Sequence, residues 1–284
     1  MLLTTVLLVV LSGFMNSVWN LNAKRSGNRQ AYLALIVLAA NIVLLPVLLS
    51  RLLTGSLPPQ AYPLLAMSAA SQAAYAFMLS RVYAYGDLSQ VYPIQRGTGV
   101  LLIPLIGVAF MGENLSAWGW GGVSMILIGI LTLSEWADRR RSGRRVKLKP
   151  VLAAIGVGLC ITSYVLVDKF ALRYVEPMTL IGASNFGFLL GNTRMLLRKE
   201  ELKREWTGNR RTILLGSVLM PGSYFLFLAA MELAPVSHLA PIREVGTVFA
   251  AILGVWVLKE KGGVGRLIAA AVILMGILLI GTHG

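Results

Sequence analysis

The sequence predicts an all-α membrane protein of ten transmembrane helices, arranged as two inverted five-helix repeats. Three observations carry that expectation: apolar runs of membrane-spanning length, basic residues gathered on one face, and a segment of the first half that recurs in the second.

With 56% hydrophobic and only 13% charged residues and a mean hydropathy of +0.73, the chain lies outside the range of a soluble domain, where about a quarter of residues are charged. A helix rising about 1.5 Å per residue needs roughly 20 apolar residues to cross about 30 Å of hydrocarbon. Runs of that kind occupy 2–21, 31–53, 61–83, 88–111, 117–135, 151–172, 177–197, 212–232, 236–258 and 263–281. The links between them are mostly short, which makes neighbouring helices antiparallel and the whole a single bundle. Runs this long exclude a β-barrel, whose strands need only about ten alternating residues. No basic residue precedes the first run, and Lys24 and Arg25 follow it, so it reads as a retained helix and not a cleaved signal. Cys160, the only cysteine, falls inside the sixth run and forms no intrachain disulfide.

A net charge of +14 would suit a nucleic-acid partner, but the positions of the charges decide against one. Arg51, Lys169 and Arg173 fall on one side, and Arg96 and Arg243 fall within apolar runs. All the rest of the 26 Lys and Arg residues collect on the opposite side. Such asymmetry places the basic side in the cytoplasm and both termini outside. The run DRRRSGRRVKLK at 138–149 and the stretch Arg194 to Arg211 read as topology determinants in preference to lipid-headgroup sites.

The segment DLSQVYPIQRGTGVLLIPLIGVAFMGEN, from Asp87, aligns with PVSHLAPIREVGTVFAAILGVWVLKEK, from Pro235. Pro93 falls on Pro241, Arg96 on Arg243 and Glu113 on Glu260. A weaker echo joins Trp19 and Lys24 to Tyr164 and Lys169. Five runs per half is an odd number, so the second half enters the membrane inverted.

These residues resemble the drug/metabolite transporter superfamily, specifically proteins with two EamA-type domains. The pattern is a helix opening on a Ser–x–x–x–Pro-like segment, ending at Gly or Lys followed by Glu, and then a glycine-rich last helix. It matches Ser89 to Glu113 with Gly119 to Gly129, and Ser237 to Glu260 with Gly262 to Gly276. The resemblance implies a first five-helix repeat over 1–137, a basic cytoplasmic linker over 138–150 and a second repeat over 151–284. It also implies a secondary transporter of the bacterial inner membrane that alternates access around a midplane site between the repeats. Relatives move amino acids, sugar phosphates, drugs, nucleotide precursors and lipid-linked sugars, so the substrate is not carried over. Arginine at the matched place in both halves departs from the family pattern.

Arg96 and Arg243 each lie about eight residues, or about 12 Å, into a span, entered from opposite faces. That leaves them about 6 Å apart along the membrane normal. Charge at that depth costs at least about 2.5–3.5 kcal/mol unless it is paired or faces a wet cavity. As a site, the two guanidiniums bind a carboxylate, phosphate or phosphonate of an anionic or zwitterionic metabolite; as a brace, they bond Glu244 or carbonyls freed by Pro93 and Pro241. Glu244 has two candidate roles, carrying a coupling proton or pairing with an arginine, and the pairing is favoured. The helical faces Arg243, Thr247, Ala250, Gly254 and Arg96, Val100, Ile103, Gly107 point both arginines inward.

Ser12, Asn16 and Asn20 form a polar stripe beside Trp19, and the third run offers Ser68, Ser71, Gln72 and Tyr75. Asn16, Trp19 and Tyr75 are the favoured wall of a substrate cavity, with Tyr224, next to Ser223, as its counterpart in the second half. Glu113, Glu260 and Asp168 sit at helix ends near the interface, where a solvated carboxylate suits a structural role; His238 is a rim residue, and His283 lies in the tail. The Asn114-Leu115-Ser116 sequon is set against the membrane and is discounted. Gly187 and Gly191 form a GxxxG pair that suits packing within the bundle better than a dimer seam, and a monomer is compatible with everything above.

A membrane-embedded enzyme is the rival class, but dispersed histidines, a single cysteine and the lack of G-x-S-x-G and G-x-x-x-x-G-K-[ST] motifs argue against it and against a cofactor or metal. Without a nucleotide motif, transport runs on a gradient or by exchange. A lipid-linked-sugar flippase on the same fold is the alternative.

Overall fold

The computed structural model describes residues 3–85, 88–138, 148–257 and 263–284. In chain order its helices are α1 (Leu3–Arg25), α2 (Arg29–Leu53), α3 (Ala61–Tyr85), α4 (Leu88–Met111), α5 (Ala117–Asp138), α6 (Leu148–Ala171), α7 (Pro177–Gly191), α8 (Thr193–Leu196), α9 (Lys199–Leu233), α10 (Val236–Ile242), α11 (Val245–Trp256) and α12 (Gly263–His283). Arg139 to Lys147 of the basic run, Lys259, Glu260, Lys261 and Asp87 lie outside the described residues.

Among the described residues, 7 helical stretches are long and apolar enough to cross a membrane: Leu3–Arg25, Arg29–Leu53, Pro93–Met111, Leu148–Ala171, Lys199–Leu233, Val236–Trp256 and Val264–His283. The predicted spans at 61–83, 117–135 and 177–197 fall short by that measure, for different reasons. Helix α3 is long but carries Ser, Gln and Tyr along its length, and the apolar part of α5 is described only over Ala117–Leu133. Helix α7 has 15 residues. The outward faces are apolar, with Ile42, Phe110, Val218 and Trp256 exposed, as a lipid-facing surface requires.

Three stretches differ from the sequence expectation. The seventh run is interrupted where Gly191 meets Asn192, whose backbone leaves the helical region (φ −98°, ψ 12°); glycine followed by a residue prone to local backbone bonding is a weak point in a helix. The basic stretch expected as a link before 212 is helical, with Glu200 and Glu201 in the first turn complementing the helix dipole, and α9 bends at Asn209 (φ −131°, ψ 20°). The ninth run is two helices. Pro241 lacks an amide, and the chain then tightens: the amides of Glu244, Gly246 and Thr247 donate to carbonyls three residues back, at 3.0, 3.1 and 2.8 Å.

The break rotates α11 relative to α10, so its buried face is Val245, Thr247, Val248, Ala251 and Gly254, while Ala250 is exposed. The face expected from an uninterrupted helix is wrong at Ala250 for that reason. Helix α4 continues past Pro93, and Val100, Ile103 and Gly107 are buried as expected.

Helix α1 packs on α9 and α11, α3 on α6 and α7, α4 on α6, α2 on α7 and α9, and α5 on α12. Small residues set the closest crossings. A Cβ on Gly122 would stand 2.6 Å from the carbonyl oxygen of Gly276, and one on Gly276 would stand 2.6 Å from that of Gly122, so α5 and α12 meet backbone to backbone. A Cβ on Gly187 or Gly191 would collide with the carbonyls of Ala69 and Ala73 in α3, so this GxxxG pair packs within the chain. Gly112, at φ +68°, turns the chain after α4. Glu113 then caps α10: its carboxylate accepts from the amides of Val236 (2.9 Å) and Ser237 (2.8 Å). At the other side of that junction the Lys169 ammonium donates to the carbonyls of Met231 and Ala234, the last turn of α9.

Candidate functional site

A cavity of about 100 Å³ lies where α1, α3, α4, α6, α7 and α9 converge on the α10–α11 break. Asn16, Trp19, Tyr75, Arg96, Tyr224 and Arg243 all line it. Glu244 lines a second, smaller cavity of about 30 Å³. Arg96, Tyr164 and Arg243 face both spaces and stand between them. The seven residues singled out from sequence, drawn from α1, α3, α4, α9 and the α10–α11 break, are therefore brought together.

The two arginines are held differently. Arg96 Nη1 donates to Glu244 Oε1 at 3.2 Å, and its Nη2 lies 3.5 Å from Asn16 Oδ1. The Glu244 side chain is 6% exposed and accepts a second bond from the Thr247 hydroxyl at 2.6 Å. Arg243, adjacent in sequence, turns the other way. Its guanidinium carbon stands 4.2 Å from the centre of the Phe227 ring and 5.3 Å from that of Tyr224. Among the described residues no side chain forms an ion pair or hydrogen bond with that guanidinium. The aromatic faces attract the cation without neutralising it, leaving its hydrogen-bonding edge for the cavity.

The rings continue as a wall. Phe188, Tyr75, Tyr164, Tyr224 and Phe227 follow one another at centroid separations of 5.9, 5.7, 5.8 and 6.2 Å. Polar groups punctuate the opposite side. Asn20 Nδ2 donates to Asn16 Oδ1 at 3.0 Å, which holds the Asn16 side-chain amide in place. Gln95 is 3% exposed, lines the cavity, and its Oε1 has no hydrogen-bond partner among the described residues. A buried acceptor left unmade is costly.

Other polar residues are internal ties. Ser12 donates to the carbonyl of Ser223 at 2.6 Å, and Ser71 bonds Ser163 at 3.0 Å. His238, expected at the rim, is buried, its Nδ1 3.2 Å from the Ser237 hydroxyl. Asp168, expected at a solvated helix end, is fully buried, with Tyr224 donating to its Oδ2 at 2.5 Å. Asp168 lies on the buried side of the last turn of α6, whose Phe170 is exposed, so nearness to a helix end did not bring nearness to water.

Sequence reasoning missed Gln95, Ser184, Asn185 and Phe188 as cavity residues, and it treated Arg29, also in the lining, as a loop cation. An amide beside Arg96 inside an apolar run was a usable signal for Gln95; nothing marked Phe188, since a phenylalanine in a span reads equally as core.

The fold and the apolar surface define an integral multi-pass helical membrane protein. The model of the EamA-like transporter family matches residues 148–282, a little under half of the chain, so the second half is similar to an EamA-like transporter domain. A Sinorhizobium sp. protein described as an uncharacterized transporter in the cobO 3' region is 30% identical over 80 residues, 28% of this chain. The match spans 56% of that relative's length. A protein of known crystal structure superposes with a TM-score of 0.75 over 98% of this chain and 96% of its own, at 17% identity, a likeness of fold alone.

Proposed function

We propose that the chain is a secondary transporter of the bacterial inner membrane for a small anionic or zwitterionic metabolite such as an amino acid, carboxylate, phosphate or phosphonate. It works by alternating access, driven by a gradient or by exchange. The observation that carries the reading is Arg243: a guanidinium deep in the bundle, facing a cavity and held by rings instead of a carboxylate among the described residues. A charge placed so is costly unless something fills the cavity that answers it. A carboxylate or phosphate would take its planar pair of donors, and the unmatched Gln95 Oε1 would accept from an ammonium or hydroxyl on the same solute.

The ten-span architecture of two inverted five-helix repeats, 1–137 and 151–284 about the linker 138–150, is supported by the packing. Interchanging the halves exchanges the α1–α9 contact with α3–α6 and the α1–α11 contact with α4–α6, while α5–α12 and α2–α7 map onto themselves. The close approaches follow the same rule: Gly13 of α1 abuts Val245, and Gly158 of α6 abuts Thr98. The cavity reaches from Arg243 to Arg29 and Asn20, which lie toward the basic face, so this conformation is the inward-facing one if that face is cytoplasmic.

A thermal-shift screen of the purified protein against millimolar small anions, zwitterions and cations tests the substrate class, because stabilisation grows as RT ln(1 + [L]/Kd). Anions or zwitterions should raise the Tm, and the shift should vanish in Arg243→Gln. Stabilisation by cations alone would remove the reading.

A further inference from the structure

We propose that Asp168 is a proton-binding site coupled to the cavity, and that the transported anion and a proton are bound and released together. The inference rests on reading the cavity as a substrate site. Asp168 is 0% exposed, in the last turns of α6. Its Oδ2 accepts from the Tyr224 hydroxyl at 2.5 Å, while Oδ1 is buried with no hydrogen-bond partner among the described residues. The hydroxyls of Ser68 and Ser184, 2.9 Å from each other, stand close to the carboxyl.

Among the described residues, the groups around it offer no counter-charge in contact. Tyr164 lies on its own helix, Tyr224 comes from α9, Ser68 from α3 and Ser184 from α7. Lys169, next in the chain, is committed to the carbonyls of Met231 and Ala234. Arg96 of α4, Arg243 and Glu244 lie within electrostatic reach of Tyr164. A carboxylate sealed from water without a paired cation is costly, and a proton removes that cost.

Tyr224 connects this carboxyl to the cavity. Its hydroxyl is on Asp168, its ring lies 5.3 Å from the Arg243 guanidinium carbon, and it lines the cavity. Ser184 lines the cavity too, so the Ser68–Ser184 pair supplies a path of hydroxyls along which a proton reaches the carboxyl. With Asp168 protonated, the charge of Arg243 is left to an anion in the cavity. Once the proton leaves, the carboxylate on the far side of Tyr224 competes for that charge and weakens the hold on the anion. Each state is favoured by a differential interaction, which a coupled transporter needs.

Infrared spectra of the reconstituted full chain, recorded as pH is stepped through neutrality, read the carbonyl stretch of a protonated buried carboxylic acid without any substrate. Wild type should show a band that fades as pH rises, and Asp168→Asn should lack it. Tyr224→Phe, which keeps the ring and removes the hydroxyl, should displace the band's pH profile. A band surviving unchanged in Asp168→Asn, or no titrating band in wild type, overturns the proposal; if Asp168→Asn does not fold, an unmoved profile in Tyr224→Phe does so alone. Coupling is read in proteoliposomes with an entrapped pH dye, using L-glutamate, glycine and inorganic phosphate as probes. Uptake of a probe should carry protons inward in wild type, and Asp168→Asn should retain probe exchange while losing proton movement. Probe uptake without proton movement in wild type overturns the coupling. If wild type takes up no probe, the assigned substrate class fails, and the infrared result still decides the proton site.

Discussion

Glu244 accepts from Arg96 at 3.2 Å, although 148 residues separate them, and leaves Arg243, its immediate neighbour, facing two aromatic rings. The tightened turn at 243–247 makes this possible, because it points consecutive side chains to different sides of the α10–α11 break. The two matched arginines are therefore held differently, Arg96 by a carboxylate and Arg243 by aromatic rings.

That division predicts different phenotypes. Arg96→Gln leaves the Glu244 carboxylate buried with only Thr247 as partner, and should destabilise the purified protein by about 1–3 kcal/mol. Adding Glu244→Gln should recover part of that loss, which a double-mutant cycle of denaturation midpoints measures. Arg243→Lys should melt close to wild type and bind anions weakly, because an ammonium cannot offer the planar two-pronged contact. Early melting with unimpaired binding in Arg243→Lys would assign it as a second brace.

The crossing of α5 and α12 tolerates no side chain at Gly122 or Gly276, since each Cβ would meet a backbone carbonyl 2.6 Å away. Gly122→Ala and Gly276→Ala should each cost about 1–3 kcal/mol through forced separation of the helices. Gly281→Ala, where nothing lies within 4 Å, should be neutral. Thermal melts of the three variants in one detergent make the comparison.

Glu113 satisfies two amides at the start of α10 from the end of α4. Glu113→Ala should cost about 0.5–2 kcal/mol, the range for losing a helix cap. Anion binding should be unchanged, because Glu113 does not line the cavity. A binding defect equal to that of Arg243→Lys would contradict a capping role.

Much of this was legible before the coordinates. A charge within an apolar run must be explained wherever it falls, so Arg96 and Arg243 stood out, and their matched positions pointed to one region. The polar stripe of α1 was legible for the same reason. The partner of Glu244 was not, because it depends on where one tightened turn aims a side chain. Asp168 was misplaced because position along a helix gives depth in a membrane but not enclosure by neighbouring helices. The aromatic wall was half visible: Tyr75 and Tyr224 carry hydroxyls that need partners, whereas Phe188 has none to betray its place.

Orientation gives the last prediction, and it follows from where the charges sit. The amphipathic start of α9 carries Lys199, Lys203 and Arg204 on a helix whose Glu205 is buried, accepting from the Asn28 amide at 2.8 Å and from Asn209 at 2.7 Å. That contact fixes the α1–α2 turn, with Lys24, Arg25 and Arg29 nearby, to the same side as the start of α9. Positive charge on both elements predicts that this face is cytoplasmic. A cysteine introduced at exposed Thr207 in a Cys160→Ala background should resist an impermeant thiol reagent in intact cells and react once the cells are opened. A cysteine at exposed Ser56, in the turn after α2, should react in intact cells. The reverse pattern would invert the protein, and would make the conformation described above outward-facing instead of inward-facing.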